Sequence, residues 1–158
     1  MANTQAMVTS FKKELLNGSH AFGTQAANGT RTVTTKDTFK GALYTVAASP
    51  SVDSTTTAYS ATGELAATGN YVAGGNAVTN ATAPNATGTT AFWTPSASLV
   101  WSNLTSSAAF DAVLIYNTAS TGVLAVSVHT FGSQSITAGT LTLSMPVNDA
   151  STGLIRIA

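Results

Sequence analysis

Apolar side chains along this chain recur mainly at every second position, in short runs cut by Gly, Pro and Asn. That period is the mark of strands with one face buried. One segment departs from it. Over residues 4–17, Met7, Phe11 and Leu15 recur at helical spacing with Val8 and Leu16 beside them, which predicts a helix of about three turns. Asn3 or Thr4 is positioned to cap its start, and Asn17-Gly18 to stop it. The run 21–37 shows no helical period, and Asn28-Gly29 there marks a turn that closes a hairpin if its flanks pair.

The first clear strand lies in "DTFKGALYTVAAS", before Ser49-Pro50. Residues 50–62 are expected to form an ordered loop anchored by Tyr59, and 63–84 short extended pieces punctuated by Gly69, Gly74 and Gly75. Further strands are predicted near Thr90–Thr94 and Ser98–Leu104, separated at Pro95. "AFDAVLIYN" runs apolar from Val113 to Tyr116, as in a strand buried on both faces. "VLAVSVHTF" alternates, with Val126 and Val128 opposite Ser127, His129 and Phe131. "TLTLSMP" places Leu141, Leu143 and Met145 on one face, and "GLIRIA" is the last strand, with Ile155 and Ile157 sharing a side. Many short strands with turn residues between them imply an all-β fold, a jelly-roll-like β-sandwich or barrel with a short N-terminal helix. The division expected is a helical arm over 1–20 and one β domain over 21–158. An isolated helix this short is marginal in water, so its Met7, Phe11 and Leu15 face needs a cover. That cover is either the chain's own sheet or, as an interface hypothesis, a neighbouring subunit.

Composition narrows the function. Charged residues are only 8% of the chain, and six Lys and Arg balance six Asp and Glu. A neutral, polar surface does not repel a second copy of itself. The same balance removes the electrostatic attraction on which nucleic-acid binding depends, so no nucleic acid is expected as a partner. The chain has no cysteine, which excludes disulfides, thiol catalysis and iron–sulfur chemistry. Lys12, Lys13 and Glu14 interrupt the stretch where a signal peptide would need an apolar core, and no apolar run is long enough to span a bilayer. No membrane is therefore expected, and synthesis is expected in a cytoplasm. The Asn-x-Ser/Thr triplets at Asn17, Asn28, Asn80, Asn85 and Asn103 follow from composition alone.

Candidate chemistry is sparse. His20, just after the helix stop, suits the helix dipole, and His129 reads as a polar-face strand residue. The six carboxylates are single and widely spaced, without a pair suggestive of glycoside hydrolysis. Asp111, entering a buried strand, needs a partner, and Arg156 is a candidate. "GNYVAGG" lacks the lysine and spacing of a phosphate loop, and "NDAST" lacks the ligand run of a calcium loop. No catalytic, cofactor or metal residues are assigned, no cofactor is expected, and no enzymatic activity is expected.

The series "NTQAMVTSFKKELLNGSHAF", "DTFKGALYT", "TTTAYSATGEL", "GNYVAGGNAVTN", "TTAFWTPSASLVWSN", "FDAVLIYN", "AVSVHTFGSQSITAGTLTLSMP" and "GLIRIA" resembles a family of small virion proteins of tailed bacteriophages, over almost the whole chain. The resemblance implies a capsid decoration (cement) protein with a jelly-roll-like fold, sitting on the capsid surface and bridging capsomers. Its expected partners are the major capsid protein and itself, as a homo-oligomer, dimer or trimer. The alternatives are a phage tail or fibre component, or a carbohydrate-binding module.

Overall fold

The computed structural model describes residues 2–28, 31–33 and 35–158. The chain is all-β with one short helix: β1 (Ala6–Met7), α1 (Thr9–Leu16), β2 (Gln25–Asn28), β3 (Arg31–Val33), β4 (Phe39–Thr45), β5 (Asn76–Val78), β6 (Asn85–Thr87), β7 (Thr90–Trp93), β8 (Leu99–Leu104), β9 (Phe110–Asn117), β10 (Ala125–Gln134), β11 (Gly139–Leu143) and β12 (Ile155–Ile157). A five-stranded sheet runs in the order β1-β10-β9-β4-β5. Beside it lie the pair β11-β8, the three-stranded sheet β12-β7-β6 and the pair β2-β3. Every pairing in these sheets is antiparallel. The turn expected at Asn28-Gly29 has its flanks paired, Asn28 opposite Arg31, while Gly29 itself lies outside the described residues.

β9 is the centre of the molecule, held between β4 and β10 and buried along nearly its whole length. Its apolar run follows from having protein on both faces. Val113 and Ile115 look toward Leu99 of β8, which rests on Gly41 of β4. On the other face Tyr116 stacks on Tyr59, with ring centroids 4.5 Å apart, so the strandless segment 46–75 covers that side. Gly75 lets this segment touch β4. At its φ of +67° a side chain would be strained, and a Cβ would overlap the Gly41 carbonyl. Truncating a wholly enclosed side chain of this strand such as Leu114 to Ala is expected to cost about 2–5 kcal/mol, since the surrounding core can only partly collapse into the gap.

Two expectations are corrected. The helix begins at Thr9, not near residue 4, because the residues before it pair instead with the edge of β10, Ala6 opposite Val128 and Met7 opposite Ser127. Sheet edges offer unpaired backbone groups, and satisfying them outweighs another helical turn. Asn3 is consequently not a cap. It is buried, its Nδ2 donates to Thr45 O (3.0 Å) and Asp111 Oδ1 (2.6 Å), and its Oδ1 accepts from Val52 N (3.0 Å). The helix stop stands as expected, with Gly18 at a φ of +69°.

The second correction concerns Asp111 and Arg156. Asp111 lies in β9 and is partnered by Asn3, whereas Arg156 lies in β12, in a different sheet, and donates to Ser151 O at 2.6 Å.

Candidate interaction surface

Helix α1 turns Phe11 and Glu14 inward, one helical turn apart. Phe11 is wholly buried and stacks edge-on to His20 and Phe22. Leu16, on the opposite side, is 90% exposed. Strand β12 lies close by at the edge of its sheet, bonded only to β7, with Ile155 buried and Ile157 46% exposed. Met7, Leu15, Leu16 and Ile157 line one shallow depression with the stems of Lys12 and Arg156 at its rim. The result is an apolar patch bordered by two cations and by the unpaired backbone of an edge strand. Isolated exposed apolar residues need no explanation, but a contiguous set beside a free strand edge is a surface suited to another protein.

Elsewhere polar groups are tied up internally. All four tyrosines of the sequence gather around Glu64. Glu64 Oε1 accepts from Tyr71 Oη and Gly74 N, each at 2.7 Å, and Oε2 accepts from Tyr59 Oη at 2.6 Å. Tyr71 Oη in turn accepts from Leu43 N (2.9 Å), Tyr44 donates to Ser60 O, and Tyr116 donates to Gly74 O (2.7 Å). Burial pushes each phenol up, Tyr116 to about 12 and the other three further, and the Glu64 charge adds to the effect. The cluster fastens segment 46–75 to the central sheet.

A second chain of bonds runs Glu14–His20–Asn117–Asp37. His20 Nε2 meets Glu14 Oε2 at 2.9 Å, and His20 Nδ1 lies 3.0 Å from Asn117 Nδ2. Asn117 Nδ2 also donates to Asp37 Oδ2 at 2.6 Å. Asn117 Oδ1 is occupied by the N–H groups of Ala119 and Ser120, so its amide cannot flip. His20 Nδ1 is therefore an acceptor and Nε2–H donates to Glu14. The ring bridges α1 to the end of β9 with no open side, since its side chain is 0% exposed. Its position after the helix stop was visible in sequence, but its partners were not.

His129 shares its face with Ser127, as the alternation predicts, and bonds to Ser127 Oγ at 2.9 Å. Both faces of β10 are nonetheless buried at this point, since the neighbouring residues Ser127 and Val128, which point to opposite faces, are each almost wholly inaccessible. Asp149 organises the turn before β12 by accepting from Ser151 N and Thr152 N, each at 2.7 Å, which holds its carboxyl below the usual range. Among the described residues no three His, Asp or Glu side chains gather to hold a metal, and no helix is long and apolar enough to cross a membrane.

No family model, curated protein or solved structure matches this chain. The three interface residues expected from sequence are placed differently by the fold. Met7 and Leu15 are partly buried and open to the patch, whereas Phe11 is spent inside the chain's own core. Leu16, set beside the helical stripe in the sequence, and Ile157, set on one side with Ile155, were not assigned to the interface. The pattern grouped Leu16 with the inward stripe, whereas the helix turns it to solvent, and the exposure of Ile157 depends on where β12 lies against α1.

Proposed function

We propose that this protein is a structural component of a tailed-bacteriophage virion, a decoration protein that binds the outside of the capsid and stabilises contacts between capsomers. The observation that carries the reading is the patch of Leu16, Ile157, Leu15 and Met7 beside the free edge of β12. A shell stabiliser needs a rigid β scaffold and a contact surface. It needs no reaction centre, so the role proposed is non-enzymatic. The partners proposed are the major capsid protein and further copies of this chain, as a dimer or trimer. Weak contacts suffice, because symmetry repeats them and raises the effective concentration. Low formal charge supports the same role, since copies crowded on a shell do not repel one another. The jelly-roll-like arrangement and the virion location belong to this proposal and rest on the resemblance in sequence.

The test uses capsids stripped of the protein. Added back, the purified chain is expected to bind them and raise their resistance to heat. Leu16→Asp is expected to fold normally, because Leu16 is 90% exposed, and to lose most of that binding. Absence of binding to the shell, or density on the tail instead of the capsid in electron micrographs of labelled particles, would sink the proposal.

A further inference from the structure

β8 meets the central sheet where Leu99 rests on Gly41. A methyl group at Gly41 would lie 2.6 Å from Leu99 Cδ1 and 3.2 Å from Val113 Cγ2. Next to this contact β8, β10 and β11 leave a pocket of about 420 Å³, half open to solvent. Leu99, Val113 and Ile115 form its apolar floor, and Phe131 and Leu154 stand in its wall with His129. A cavity of this size falls in the range of small-molecule sites, which are mostly apolar with few polar groups.

Thr142 and Ser144 also line the pocket but are exposed to solvent, so His129 supplies its more buried polar group. Ser127 is 1% exposed and its hydroxyl bonds only to His129 Nε2, so the economical arrangement has the hydroxyl donating and the ring proton on Nδ1. Nδ1 makes no hydrogen bond within the chain and is not sealed away. We propose that this cavity binds a neutral, mainly apolar small molecule carrying one hydrogen-bond acceptor, a carbonyl or ether oxygen, which takes the His129 Nδ1–H. Burial pushes the imidazole down to about 4, so near neutral pH the ring offers one N–H and no charge. A carboxylate would have to lose its hydration without meeting a cation, which disfavours anions. The inference is independent of capsid binding.

The test compares acetophenone, ethylbenzene and benzoate as probes on the full chain at neutral pH, followed by the His129 imidazole nitrogen resonances and by calorimetry. Acetophenone is expected to bind saturably, about tenfold more tightly than ethylbenzene, the difference of one hydrogen bond. Benzoate is expected not to bind. His129→Leu should bind acetophenone and ethylbenzene alike, and Leu154→Trp, which fills the cavity, should bind neither. Folding of each variant is checked by its melting temperature, and if one fails to fold the other decides. The inference is overturned if acetophenone does not bind saturably, if its advantage survives in His129→Leu, or if Leu154→Trp binds it undiminished.

Discussion

Replacing Glu64 tests the claim that one carboxylate fastens the strandless segment 46–75 to the sheet. Its two oxygens take three donors at 2.6–2.7 Å, from Tyr59, Tyr71 and Gly74. Hydrogen bonds to a charged group contribute about 1.5–3 kcal/mol each, against about 0.5–1.5 for neutral pairs. Glu64→Gln keeps the shape, loses the charge and turns an amide NH2 toward one donor. Tyr59 can rotate its hydroxyl to accept from that NH2, whereas the Gly74 N–H cannot. A loss of about 1 kcal/mol per bond gives a destabilisation of about 2–3 kcal/mol. Glu64→Leu leaves the same donors without an acceptor and is expected to cost more, about 3–6 kcal/mol, because the desolvation of each is no longer offset. Urea unfolding followed by tyrosine and tryptophan fluorescence measures both. With a slope of about 1–3 kcal/mol/M, the Gln variant should lower the midpoint by about 0.7–3 M. Midpoints of both variants within about 0.2 M of the parent would refute the reasoning and reduce the cluster to a surface contact.

The same cluster sets an alkaline limit. All four phenols lie above their ordinary value of 10.0, chiefly through burial, so the folded chain keeps protons that the unfolded chain releases. Stability is then fully present below pH 10 and falls as pH rises through 12. Tyrosinate absorbance of the native protein should lag that of the denatured chain; coincident titrations would contradict the burial argument. At Asn117, the substitution Asn117→Asp sets a second carboxylate against Asp37 Oδ2, 2.6 Å away from the present amide nitrogen. Two carboxylates so close cannot both ionise. A loss of about 2–4 kcal/mol at neutral pH is expected, relieved on acidification, and thermal unfolding between neutral and mildly acid pH would show it.

Local pattern carried far in this chain. The alternation of Leu141 and Leu143, the continuous run of β9, the break at Pro95 and the helix stop at Gly18 all appear where sequence places them. β6 escaped notice because Asn85, Ala86 and Thr87 are all exposed, so no buried side imposes a period on them. The helix start was misplaced because Met7 fits a helical stripe and a strand edge equally well. Nothing local reports that β10 has a vacant edge beside it.

The candidate site was less legible. Met7 and Leu15 were marked in advance, yet the patch exists because Leu16 and Ile157 lie side by side, almost the whole chain apart in sequence. The partner of Asp111 proved to be Asn3 rather than Arg156 for the same reason: sheet membership decides which side chains can meet. By itself the sequence determined the all-β character, the strand positions and the scarcity of charge, because periodicity, turn chemistry and composition act over a few residues. Only the tertiary structure decided that four tyrosines would converge on Glu64, that His20 would be enclosed and His129 left one free nitrogen, and that an edge of β12 would stay open. Those outcomes depend on register and on which layers stack, and such contacts join residues that no local period relates.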